Sequence, residues 1–232
     1  MNRFDVENTQ SDLPRSYLVV GESAADVAFV EALLIHRGIR DRYHLGFPEG
    51  RRTGKYGFGD YLIGLRTKLE RPSSQVQKVL IVTDSDEDHG AAFTIVRDQI
   101  RAANAELKLD RNYPIPTAVR VTANGFPSVG IVTLPFDEQG CLETVLVAAA
   151  DDGTHPLHDC FEAYWACTHF DHNRRNVESK QKLTTIIAAS NPNNPSCSLV
   201  FIWSDDQRRW NPMRPDHPVF QPFSDFLVNF AT

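Results

Sequence analysis

The chain has 232 residues, of which 41% are hydrophobic, 23% charged and 10% aromatic, a composition that fits one globular domain with at most a small appendage and excludes collagen, coiled coil and wholesale disorder. Its 24 basic and 30 acidic residues leave a net charge of −6, the wrong sign for gripping nucleic acid by bulk electrostatics, so such a role needs local basic patches or a metal that neutralises acid. No uncharged apolar run approaches the roughly 20 residues of a membrane span, and the polar, acidic stretch Met1–Ser11 is unlike a secretory leader, so a cytoplasmic protein is expected.

Residues 1–15 read as a loose N-terminus. Tyr17–Val20 is a short apolar run ending at Gly21, the signature of a buried strand. Ser23 is placed to cap a helix in which Val27, Val30, Leu33 and Leu34 recur at helical spacing, and Gly38 ends it. Arg40–Gln77 follows as a long insert containing the glycine-rich, basic loop Gly46–Gly59. Val79–Val82 is a second buried strand running into Thr83 and Asp84, and Gly90 opens a helix with Phe93, Val96 and Ile100 on one face. Ala118–Thr122 suggests a further strand, Val129–Leu134 is another closed by Pro135, and Leu142–Ala150 is the next helix. Uniformly apolar strands alternating with helices predict an α/β fold, a mostly parallel sheet flanked by helices, over residues 16–150. Beyond Asp151 the pattern changes. Leu157–Phe170 and Val177–Ser190 read as helices, Asn191–Ser196 as turns, Leu199–Trp203 as a late strand and Phe220–Phe230 as a closing helix. Residues 151–232 are thus a mainly helical C-terminal section packed on the sheet.

The four cysteines form no CxxC pair and read as reduced core or helix-facing thiols. His158, Cys160, Cys167, His169 and His172 match no zinc-module spacing, and Phe161, Tyr164 and Trp165 among them suggest a buried helix face.

In a parallel sheet, ligands bind at the carboxyl ends of the strands. Glu22 follows the first predicted strand. Asp84, Asp86, Glu87 and Asp88 follow the second, and Asp137, Glu138 and Glu143 the third. Converging carboxylates repel one another unless a cation sits among them, and hard oxygen donors suit Mg2+ or Mn2+. Asp84 and Asp86 alternate along the strand end, so an extended backbone would aim both at one ion. The bland reading of Asp84–Asp88 is a solvated turn with a helix N-cap.

Two segments bear a resemblance. Val19-Val20-Gly21-Glu22-Ser23-Ala24-Ala25-Asp26 resembles the first TOPRIM motif, and Val79–Asp86, an apolar strand ending in Asp-x-Asp, resembles the second. Leu134-Pro135 leading to Gly140-Cys141-Leu142-Glu143 is similar to a small bacterial TOPRIM-related family, and OLD-type nucleases carry a comparable late acid. In one respect the match departs from the usual motif, where Gly directly follows the glutamate. Here Gly21 precedes it and Ser23 follows.

The resemblance implies divalent-metal-dependent phosphodiester hydrolysis of DNA or RNA, as in an effector of bacterial anti-phage defence working with an ABC-type ATPase partner. It implies Asp84 and Asp86 as metal ligands and Glu22 as ligand or general acid/base. Asp26, one helical turn on from Glu22, and Glu143 would complete a second metal site; the alternative for each is an ordinary first-turn helix acid. A lysine near the metals is also implied, with Lys180 or Lys182 as candidates. Arg51, Arg52 and Lys55 could grip the substrate backbone, with Tyr56 or Phe58 stacking on bases; the alternative is a plain solvated loop. That loop is no P-loop: Glu49 stands where Walker A needs Gly, and Tyr56 where it needs Ser or Thr.

Two other classes compete. A non-catalytic binding or regulatory module could keep the fold and its acids, which the Ser23 departure and the net acidity favour. A haloacid-dehalogenase-type phosphatase would use Asp84 as nucleophile and Asp86 as acid/base, but Asp88 stands where that class wants Thr or Val. Topoisomerase and primase activities lack a candidate winged-helix or zinc module. The sequence leaves homo-oligomerisation open.

Overall fold

The computed structural model describes residues 13–49, 52–150, 157–168, 175–191, 193–204 and 211–232. Their order is β1 (Tyr17–Val20), α1 (Ala24–His36), β2 (Tyr43–Gly46), α2 (Phe58–Leu69), β3 (Lys78–Asp84), α3 (His89–Glu106), β4 (Ser128–Leu134), α4 (Leu142–Ala150), α5 (Leu157–Thr168), α6 (Arg175–Ser190) and α7 (Gln221–Phe230). The strands form one all-parallel sheet in the order β2-β1-β3-β4. The α/β class with a mainly helical C-terminal section is therefore as the sequence predicts.

Every strand is apolar because both faces of the sheet are covered. Val19, Leu80, Val82, Val132 and Leu134 face a layer built from α1, α4, α6 and α7. Leu18, Val20, Val79, Ile81, Val129 and Ile131 face α2 and α3 on the other side. The two-residue side-chain period of each strand divides the core in this way. Helix α1 is buried almost all round, as a helix without a polar face must be. Its Phe29 lies against Trp203, Phe220 and Phe223, so the C-terminal section packs on the sheet domain through α1.

At the amino edge of the sheet, side chains satisfy the last carbonyls of α7. The Tyr43 hydroxyl donates to Leu227 O at 2.6 Å, the Tyr17 hydroxyl to Ala231 O at 2.8 Å and Lys78 Nζ to Phe230 O at 3.0 Å.

Several expectations need correction. The insert 40–77 contains a strand and a helix: β2 is the sheet edge beside β1, and α2 buries Phe58, Leu62, Leu65 and Leu69. Ala118–Thr122 is not a strand; Arg120 has φ +64 there and donates its N–H to Ile131 O at 2.8 Å, and Ala123 forms an isolated bridge with Val129. Leu199–Trp203 consists of turns. The boundary at 15/16 lies too late, because Leu13 is buried in the core and its carbonyl accepts from Gln75 N at 2.7 Å. The rest of the expected loose N-terminus, 1–12, lies outside the described residues. On α5, Phe161 is buried while Tyr164 is exposed, and the side chains of His158, Trp165, His169 and His172 lie outside the described residues. All four cysteines are free, Cys141 and Cys197 buried, Cys160 and Cys167 exposed. Among the described residues no helix is long and apolar enough to cross a membrane.

Candidate metal centre

The chain leaves β1 toward β2 on one side and returns through α2 to β3 on the other, then continues outward to β4. The connections after β1 and β3 therefore diverge, opening a crevice at the carboxyl ends of these two strands. β3 runs three residues past the last pair with β1, Val20 with Ile81. That overhang brings Asp84 level with the residues that follow β1.

Glu22 turns back onto this overhang. Its Oε1 accepts from Asp84 N at 2.9 Å and from the Thr83 hydroxyl. The two segments, 62 positions apart, thus meet through a direct hydrogen bond. Gly21 is required here because a Cβ would lie 2.7 Å from Asp26 Cβ, so α1 can pack this closely only on glycine. Ser23 is the N-cap of α1 and Asp26 its N3 residue, in a reciprocal capping box: Asp26 Oδ2 accepts from Ser23 N at 2.8 Å and from Ser23 Oγ at 2.6 Å. The residues on either side of Glu22, Gly21 and Ser23, thus each have a local structural role.

Asp84, at the end of β3, accepts from Leu142 N at 2.9 Å with Oδ1 and so caps the start of α4. Ligand atoms of Asp84, Cys141 and Glu143 lie within 4.8 Å of one another. Lys180 Nζ on α6 is 4.0 Å from Glu143. Asp86 does not continue the strand. It has φ +49, a left-handed conformation that Asp tolerates, and its N–H and C=O each bond Gly140 at 2.7 Å. The expected alternation of Asp84 and Asp86 along an extended backbone is therefore absent, and each carboxylate reaches the rim separately. Gly140 itself has φ +142, and a Cβ there would meet Thr144 Oγ1 at 2.6 Å.

Lys55 is the largest surprise. Predicted as part of an exposed substrate-gripping loop, it is buried, with its ammonium bonded to Asp86 Oδ2, 3.7 Å from Glu22 Oε1 and 3.4 Å from Asp84 O. Asp86 Oδ1 also accepts from Asn176 Nδ2 of α6 at 2.8 Å, a partner that sequence spacing gave no means of finding. Arg52 and Tyr56 are exposed on the same loop, Phe58 is in the core, and Arg51 lies outside the described residues. Lys180 stands at the rim, whereas Lys182 Nζ lies over the Phe161 ring, 5.5 Å from its centroid. Four of the acids that follow the strands stay in solvent: Asp137 is exposed beside Arg120, and Glu138, Glu87 and Asp88 are exposed, with Asp88 capping α3. At the start of α3, His89 Nδ1 contacts the buried Thr133 hydroxyl of β4 at 2.8 Å, while its Nε2 is buried with no hydrogen-bond partner.

The electrostatics are those of crowded acid. Burial, then the charges of Asp26 and Glu22, holds Asp84 well above the usual carboxylate range, against the lowering effect of the Leu142 N–H. Burial also raises Asp26 to about 7, with Ser23 opposing and Glu22 and Glu143 adding to the rise. Burial and the Glu143 carboxylate push the Cys141 thiol up to about 12. Around Lys180, burial opposes the charge, but Glu143, Cys141, Asp84 and Asp86 outweigh it and its pKa rises.

Two carboxylates, Asp84 and Glu143, converge with the Cys141 thiol in a group that could hold a metal ion, and the charges of Asp26 and Glu22 add to the repulsion at Asp84 that a cation would relieve.

Fold and site together define a class: a parallel α/β protein with an acidic centre at the carboxyl rim of its sheet, where the crossovers diverge. Within it, the chain belongs to the family described as Protein of unknown function (DUF3226), whose model matches residues 16–232. No curated protein and no solved structure matches the chain.

Proposed function

We propose that this protein is a divalent-metal-dependent nuclease of TOPRIM type, hydrolysing phosphodiester bonds in DNA or RNA. The observation that carries the reading is the meeting of Glu22 with the end of β3, through Asp84 N at 2.9 Å, beside the Asp84–Glu143 pair. Asp84 and Glu143 would hold Mg2+ or Mn2+, which when bound would supply polarisation of the scissile phosphate and offset of its developing charge. With Oε1 tied to the strand end, Glu22 has Oε2 left to take a proton from the attacking water. Lys180, exposed beside Glu143, meets the substrate phosphates, and Arg52 and Tyr56 extend that contact along the strand. The anti-phage role and the ATPase partner rest on the TOPRIM resemblance alone.

The competing reading, a non-catalytic module, draws support from Lys55, which neutralises part of the acid without any metal. One experiment separates the two. Purified protein is incubated with supercoiled plasmid or labelled RNA, with Mn2+ or Mg2+ and with a chelator, alongside Asp84→Asn. Cutting that needs the metal and Asp84 supports the nuclease. Intact substrate in every lane, together with no heat of metal binding, leaves the binding module.

A further inference from the structure

The acidic centre has two halves that are treated differently. On one side, the Lys55 ammonium lies among three oxygens: Asp86 Oδ2, Glu22 Oε1 at 3.7 Å and the Asp84 carbonyl at 3.4 Å. Its side chain is 10% exposed and that of Glu22 14%. The lysine is held by its surroundings. The 3-10 turn Gly54–Tyr56 runs into α2, whose Phe58 and Leu62 are core residues, and Gly59 N donates to Gln99 Oε1 of α3 at 3.3 Å. Withdrawing the ammonium would move the start of α2. On the other side, Glu143 of the Asp84–Glu143 pair is 4.0 Å from the ammonium of Lys180, a side chain that is 55% exposed.

A carboxylate of β1's turn, a carboxylate of β3's turn and a backbone carbonyl are oxygen donors of the kind that also coordinate magnesium or manganese. We infer that Lys55 stands in place of the second ion of a two-cation centre, so that the chain holds a single divalent ion, on the Asp84–Glu143 side. Asp86, shared between Lys55 and Asn176, is then a positioning residue for the lysine and does not coordinate the ion. The inference rests on the reading that this centre takes a divalent cation, and it goes further in fixing how many and where.

The test counts Mn2+ bound to the full chain, by calorimetry and by loss of the free-ion electron paramagnetic resonance signal. Wild type is expected to bind one ion, Lys55→Met two and Lys55→Arg one. Asp86→Asn should keep the single ion, with affinity within about threefold, whereas Glu143→Gln should weaken it at least tenfold. Two ions of similar affinity on the wild type overturn the inference, as does a folded Lys55→Met that still binds one. Should Lys55→Met not fold, the wild-type count and Asp86→Asn still decide, because loss of the ion in Asp86→Asn makes Asp86 a ligand. These outcomes leave the nuclease reading standing; a wild type that binds no Mn2+ overturns both.

Discussion

The two sides of the acidic centre solve the same electrostatic problem in different ways. Toward α2, Glu22 and Asp86 share the buried ammonium of Lys55. Toward α4, Asp84, Glu143 and Asp26 crowd together, and among the described residues Glu143 pairs with Lys180, which is more than half exposed. Carboxylates with a fixed internal cation are a structural element; carboxylates without one hold a charge excess that a soluble ion can relieve. The difference teaches where an external cation gains most by binding, and the acid count alone does not reveal it.

The most severe break in this contrast is Asp84→Asn, which keeps an oxygen for Leu142 N but removes the charge. It is expected to abolish metal-dependent cleavage, a loss of roughly 10⁴-fold or more given the several kcal/mol an ion contributes. The melting temperature should not fall, and a plasmid-nicking time course with a parallel melt checks both. Glu22→Gln should lower the cleavage rate by about 10²- to 10⁴-fold, the range for a general base, while the heat of Mn2+ binding persists; loss of that heat would make Glu22 a ligand.

Lys55→Met tests the other side. Without metal it should cost about 3 kcal/mol in urea unfolding, the low end for removing one partner of a buried pair because Asp86 is 44% exposed. Added Mn2+ should restore much of that loss.

The pH dependence sharpens the contrast further. Asp26 is held at about 7, above its ordinary 3.8, so between those values the folded state keeps a proton that the unfolded chain has released. Stability therefore falls as pH rises through this window, and the raised Asp84 acts in the same direction. In a chelating buffer the melting temperature should be lower at pH 8 than at pH 5. Asp26→Asn should flatten the slope, and Mg2+ should raise the melting temperature more at pH 8. The smallest effect is expected from Lys180→Ala: its exposed pair is worth less than about 1 kcal/mol, so folding should be unchanged while KM rises and loses some salt dependence.

How much of this was legible in the sequence follows from what each segment buries. β1, α1, β3, α3, β4 and α4 announce themselves through continuous apolar runs and capped amphipathic stretches. β2 is only four residues long and carries His44 and Gly46, so its apolar signal is too weak to stand out. In α2, Gly59 and Gly64 suggest a loop, although Phe58, Leu62, Leu65 and Leu69 keep a helical spacing that could have been read. At the site, acids following apolar strands mark Glu22 and Asp84, two segments that the fold brings into contact. Lys55 was legible only as a basic residue in a glycine-rich loop. Its burial depends on where β2 enters the sheet, and no local pattern encodes that. Asn176 reaches Asp86 across 90 positions and leaves no trace in spacing.

The pairing of Tyr17 with the carbonyl of Ala231 spans 214 positions, and Tyr43 and Lys78 make comparable reaches to the same helix. The lower edge of the strands is completed only once α7 is in place, and contacts this distant slow the search for the native state. Because the acids lie on β1's turn and at the end of β3, assembly of the cleft waits for that helix. A fragment lacking α7 would therefore be expected to lose the ordered contact between Glu22 and Asp84.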